Sequence, residues 1–172
     1  MLIEQQIKRL CDNGVLVQIK PLDWRIQIKR PMYAARDLNR FLTQNAHTAQ
    51  ANGDRRRLQA LFDRFISGQT ISVAFERHIK ATDMKRLTPK SAEVWEFKIR
   101  KGSQLRVFGR FALVNTIIAL TGPVFRAGCN YSVEKTRCQQ EWQKIFNGYS
   151  PVYGSKLSDY ISGTNVVPFG NP

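Results

Sequence analysis

Histidine is scarce in this 172-residue chain, with two residues, His47 and His78, far apart. Two such distant imidazoles assemble no zinc-ligand spacing. Cysteine is scarce as well: Cys11, Cys129 and Cys138 are an odd number with no close spacing, which argues against a disulfide scaffold and for free thiols in a reducing compartment. Long apolar runs are missing. The longest, Phe111 to Leu120, is interrupted by Asn115 and Thr116 and suits a buried strand rather than a bilayer span. The N-terminal stretch MLIEQQIKRLCDNG has no apolar core behind a basic start, so no secretion signal, no membrane partner and a cytoplasmic location are expected. There is also no serine-nucleophile motif, no glycine-rich phosphate loop and no metal-binding carboxylate cluster, so neither a metal nor another cofactor is expected.

Acidic residues are outnumbered. The chain carries 13 against 27 basic residues, a net charge of +14. Such a surplus says little about fold but favours a polyanionic partner, because each neutralised phosphate releases counterions. The length suits a single domain with one real core.

Patterning supplies the elements. Leu38, Phe41, Leu42, Ala46 and Ala49 form a helical stripe between Ala34 and Gln50. A turn at Asn52–Asp54 follows, with Asp54 as N-cap of a second helix that carries Leu58, Leu61, Phe62, Phe65 and Ile66 and stops at Gly68. The outer face of that helix holds Arg55, Arg56, Arg57 and Arg64, and the two helices read as a hairpin. Val15–Lys20 and Trp24–Lys29 alternate like half-buried strands, whereas Thr70–Glu76 is apolar and of no clear type. Val94–Arg100, Gln104–Phe111 and Leu113–Leu120 read as an antiparallel meander, with Lys101, Gly102 and Ser103 in its first turn. A last helix, capped by Asn130 or Ser132, bears Cys138, Trp142, Ile145 and Phe146. The expectation is an α+β domain over residues 1–147: a twisted antiparallel sheet with a helical hairpin packed on one face, a C-terminal helix and an N-terminal strand extension. Residues 148–172 are expected to be an extended tail, anchored at most by Tyr149, Tyr153 and Val166–Phe169.

Charge concentrates on the meander. Between Arg77 and Arg126 there are eleven basic residues (Arg77, Lys80, Lys85, Arg86, Lys90, Lys98, Arg100, Lys101, Arg106, Arg110 and Arg126) against three acids, Asp83, Glu93 and Glu96. With Phe97, Ile99, Leu105 and Val107 inward, strand alternation turns Lys98, Arg100, Arg106 and Arg110 outward on one surface, a phosphate cradle. RNA cleavage without a metal needs a base for the ribose 2′-hydroxyl and positive charge for the phosphorane. A lysine crowded by cations has a lowered pKa suited to the first task, and Lys98 beside Arg100 and Arg106 is the best placed. His78 is an outside candidate for the base. Asp83, Glu93 and Glu96 are further acid–base candidates, but the sequence pairs them with nothing.

The stretch VWEFKIRKGSQLRVFGRFALVNTIIALTGPVFR, preceded by MKRL at Met84–Leu87, resembles the RelE/ParE superfamily of toxin–antitoxin toxins, especially its RelE- and HigB-like mRNA interferases. The matching pieces are Trp95–Arg100, Arg106–Phe108, Thr116–Thr121, and Arg126 ahead of a terminal helix, and the likeness runs from Asp54 to Phe146. It implies a compact sheet with two helices on one face and a metal-independent endoribonuclease that cleaves mRNA on the ribosome and is neutralised by a cognate antitoxin protein. It also implies catalytic roles for Lys98, Arg100, Arg106 and Arg126, and nucleic-acid contacts from Lys85, Arg86, Lys101, Arg110 and Tyr131, the last matching a terminal-helix tyrosine. Where the family has a Lys-Lys or Lys-Arg pair, this chain has Gly122-Pro123-Val124-Phe125. Two alternatives stand beside this reading: a ParE-like poison of DNA gyrase, and a non-catalytic, phage-derived relative that binds nucleic acid or protein.

Overall fold

A computed structural model describes residues 2–44, 48–75, 81–163 and 166–169. Ala46, His47, Arg77, His78 and Lys80 lie outside the described residues, and with them the expectation for a histidine base.

The chain is mixed α/β, and its described residues form four helices and one eight-stranded sheet. Helix α1 (Ile3–Asp12) buries Gln6, Ile7 and Leu10 along one face and leads into strand β1 (Leu16–Gln18), which pairs antiparallel with β2 (Met32–Ala35). Helices α2 (Arg36–Thr43) and α3 (Ala49–Ile66) follow, then β3 (Ile71–Ala74), β4 (Met84–Arg86), β5 (Trp95–Lys98), β6 (Leu105–Leu113) and β7 (Thr116–Phe125). Helix α4 (Tyr131–Ile145) and strand β8 (Val166–Phe169) complete it. The spatial order is β1-β2-β7-β6-β5-β4-β3-β8.

The meander β5–β6–β7 is antiparallel as expected, but the sheet as a whole is mixed, because β2 runs parallel to β7 and β3 runs parallel to both β4 and β8. The chain between β2 and β7 includes α2 and α3, and that between β3 and β8 includes α4. The alternating segment Trp24–Lys29 forms a loop rather than a strand, while Met32–Ala35, with no alternation of polarity, is the true partner of β7. Helix α3 begins at Ala49 under the hydroxyl of Thr48, which accepts the Ala51 N–H at 3.1 Å, so Gly53 and Asp54 are internal to the helix rather than a turn and its cap. Asp54 serves instead as a strut: its carboxylate takes the backbone N–H and the hydroxyl of Ser103, tying the helix to the β5–β6 turn. A Cβ at Gly102 in that turn would lie 2.3 Å from the same carboxylate, so the approach needs glycine.

Both faces of the sheet are covered. On one, Trp95, Phe97, Ile99, Leu105, Val107 and Phe111 meet α2 and α3, with Phe62 and Phe65 edge-on to Phe97 at 5.3 and 5.5 Å. On the other, Val94, Phe108, Ala112, Ile118 and Leu120 meet α1 and α4 through Ile7, Leu10, Cys138, Trp142 and Phe146. The described residues after Gly148, 149–163 and 166–169, are part of this architecture rather than an extended tail. Tyr160 is fully buried among Phe75, Trp95 and Phe111, and β8 adds a strand to the sheet beside β3.

Candidate nucleic-acid interface

Alternation along β5 places Val94, Glu96 and Lys98 on the face that α4 covers, and along β6 it places Arg106, Phe108 and Arg110 there. Register then sets Lys98 opposite Arg106, and Lys85 of β4 opposite Glu96. The expected grouping of cations on one surface is therefore met in register but not in exposure. Lys98, Arg106 and Arg110 are 6 %, 5 % and 6 % exposed, so they line a covered face instead of an open cradle.

Glu96 sits at the middle of the group, 2 % exposed. The Arg106 Nε lies 3.7 Å from its Oε2, an ion pair too long for a hydrogen bond. Tyr131, the first residue of α4, lies beside Glu96 and Arg106, and its ring stands edge-on to Phe108 at 6.1 Å. The helix is set there by Asn130, whose side-chain oxygen accepts the N–H groups of Ser132 and Val133. Arg106 is itself pinned, its Nη1 donating to the carbonyls of Ile99, Leu105 and Gln104 at 2.8, 2.9 and 3.2 Å.

Burial disfavours each charge in this group, and the neighbours settle the balance. Lys98 is pushed down to about 8, first by burial and then by Lys85, Arg106 and Arg100, with Glu96 opposing. Burial raises Glu96 above the ordinary carboxylate range, although Lys98, Arg106, Lys85 and Tyr131 pull the other way. Tyr131 is raised by burial and by Glu96, so its hydroxyl stays protonated and able to donate. Lys85, half-buried, is lowered by burial against the pull of Glu96.

Three expected residues form an exposed rim. Arg100 and Lys101 stand on the β5–β6 turn, and Arg126 opens the short 3₁₀ turn after β7. The Arg126 N–H donates to the Gln104 carbonyl at 3.1 Å, which brings the two turns together. Phe125, 61 % exposed, adds an aromatic face beside Arg126. No family model, curated protein or solved structure matches the chain. Its chemistry is thus read from its own side chains.

Two expected contacts fall elsewhere. Arg86 lies on the opposite face, where its guanidinium stacks 3.8 Å from the Phe75 ring centre and donates to the Gly154 carbonyl and the Tyr160 hydroxyl at 2.9 and 3.1 Å. Tyr160 in turn donates to Glu93 at 2.6 Å, and burial raises the Glu93 carboxyl. Arg110 is a structural residue beneath α4, where it lies 5.5 Å from the Trp142 ring centre and donates to the Ala92 and Glu93 carbonyls at 2.9 and 3.4 Å. Glu96, one of three acids for which the sequence shows no evident partner, finds its partners in Arg106 and Lys98. Its position between Trp95 and Phe97, two before Lys98, was the available signal. Among the described residues, no three His, Cys, Asp or Glu side chains converge as metal ligands, and no helix is long and apolar enough to cross a membrane.

Proposed function

We propose that the protein is an RNA-cleaving toxin of the RelE type, acting on single-stranded mRNA through Lys98, Glu96, Arg106 and Tyr131. The observation that carries the reading is the lysine lowered to about 8, set opposite Arg106 on a face that also holds Glu96, with Tyr131 next to that carboxylate. At neutral to mildly alkaline pH a fraction of Lys98 is the free amine. That amine takes the proton of a ribose 2′-hydroxyl, the 2′-oxygen attacks the adjacent phosphorus, and the 5′-oxygen departs as a 2′,3′-cyclic phosphate forms. The Tyr131 hydroxyl donates the proton the leaving oxygen needs, and Arg106 favours the phenolate left behind. The rim cations Arg100, Lys101 and Arg126 neutralise phosphates, and Phe125 offers a stacking face to a base. Within this reading the mRNA is met on the ribosome and a cognate antitoxin restrains the toxin in the cytoplasm.

One observation favours a binding-only relative as the second reading: three carbonyls hold Arg106 Nη1, leaving less of that guanidinium for a phosphorane. Expression in cells separates the two. The wild type is expected to arrest growth and create new mRNA 5′ ends, and Lys98→Arg to do neither while remaining folded. Growth without new ends in both strains supports the binding-only reading, and arrest with DNA damage but intact mRNA supports a gyrase poison.

A further inference from the structure

The most exposed large apolar side chains among the described residues are Trp24, 88 % exposed, and Leu22, 77 % exposed, both on the loop between β1 and β2. The loop is pinned to α3. The Leu22 N–H donates to the Asp63 carboxylate at 3.3 Å, Gln59 Nε2 donates to the Lys20 carbonyl at 3.4 Å, and the Lys29 N–H donates to the Ile66 carbonyl at 2.8 Å. Gln59, Asp63 and Ile66 recur at helical spacing, so the loop runs along one stripe of the helix. Arg25 closes the tip with two bonds of 2.9 Å to Asp23. The loop that carries the indole is thus held against α3.

Charge surrounds it. Arg56 is exposed on α3, and the loop adds the exposed Lys20, Lys29 and Arg25, the last paired with Asp23. The nearby acids are engaged internally: Asp23 by Arg25, Asp63 by Leu22 and Gln59, and Asp83 by Arg64 and Ser72. On the other side of α3, Arg57, Leu61 and Arg64 wall a groove of about 380 Å³ that is completed by Asp83, Lys98, Arg100 and Lys101, with Arg64 paired to Asp83 and Arg57 to Asp54. The groove thus reaches the end of β5, where Lys98 lines it while its alternation places it on the α4 face with Glu96 and Arg106.

We propose that the outer face of α3, from the Trp24 loop to this groove, is a track for single-stranded RNA that leads the strand to Lys98, with Trp24 stacked on a base. The inference rests on the nucleic-acid reading above and adds the path and the stacking residue. RNA is favoured over a protein partner because one indole and one leucine among cations are too little apolar surface for the core of a stable protein interface. A single aromatic in a basic track is what sequence-tolerant base stacking requires.

Trp95 and Trp142 are 0 % and 1 % exposed, so Trp24 is the indole open to quenching. Titration of the full chain with a short oligouridylate is expected to quench its fluorescence saturably. Anisotropy of labelled oligouridylate should show binding weakened about tenfold in Trp24→Leu and largely restored in Trp24→Phe, the range that loss of one stacked base gives. Arg56→Ala should reduce the dependence of log affinity on log salt by about one. Cleavage of a diribonucleotide, too short to reach the loop, should be the same in Trp24→Leu and wild type. Cleavage of RNA by wild type without quenching, or with affinity unchanged in Trp24→Leu, overturns the track and leaves the catalytic reading standing. Quenching that depends on Trp24, without cleavage, leaves the track standing and overturns the catalytic reading. Burial of Trp24 by a protein partner, with no response to RNA, overturns the track.

Discussion

Lys98 and Arg106 are register partners across β5 and β6, two cations set opposite one another on a covered sheet face. Like charges so placed destabilise a sheet unless something offsets them. Glu96 does so, 3.7 Å from Arg106 and on the same face as Lys98. Glu96→Gln is expected to cost about 3 kcal/mol in urea unfolding, because it leaves buried cations without their carboxylate. The Lys98 amine should then titrate below 8, since Glu96 is what holds it up. An unchanged unfolding midpoint would show that the cluster is solvated and not balanced by Glu96.

The Lys98 titration has a signature in stability. Its folded pKa of about 8 lies below the ordinary 10.5, so between those values the unfolded chain holds a proton that the native protein has released. Stability from this group therefore rises with pH from about 8 to 10.5 and is flat below 8, where both states are charged. Lys98→Arg keeps the charge throughout and should abolish that rise, as read from unfolding midpoints across the range. A rise that persists in the variant assigns it to another group.

The segment that follows α4 is predicted to be indispensable to the fold. Tyr160→Ala should cost about 4 kcal/mol, the range for emptying a large aromatic site. Tyr160→Phe should cost about 2 kcal/mol, because Glu93 loses a hydrogen bond made to a charged group. Denaturant unfolding of both variants checks this, and near-wild-type midpoints would mean the segment only rests on the sheet.

Rim and buried cations should separate cleanly. Ala at Arg100, Lys101 or Arg126 is expected to leave stability within about 0.5 kcal/mol and to lower the salt slope of RNA binding by about one each. Arg110→Met should lower stability, because the donors to Ala92 and Glu93 are lost, while leaving that salt slope unchanged. Salt-dependent anisotropy together with thermal unfolding checks both.

The meander, α4 with its Asn130 cap, and the apolar face of α3 were legible because each has a clean period and a marked end. Helix α1 was not read as a helix, since its short polar sequence buries only Gln6, Ile7 and Leu10. Strand β2 was not read because MYAA shows no alternation, and its place comes from pairing with β7. Alternation correctly put Lys98, Arg106 and Arg110 on one face, but period alone cannot tell whether a helix covers that face, and α4 does. Arg86 and Tyr160 meet across 74 positions of sequence, a contact that no local pattern encodes.

The most direct test of the account is cleavage of a single-stranded RNA by the purified protein in EDTA, with the product ends identified. The account predicts 2′,3′-cyclic phosphate and 5′-hydroxyl ends, no cleavage at a position carrying a 2′-deoxy sugar, and a rate that rises with pH toward a limb near 8 set by Lys98. Intact RNA, 5′-phosphate ends, or equal cleavage at the 2′-deoxy position would contradict it.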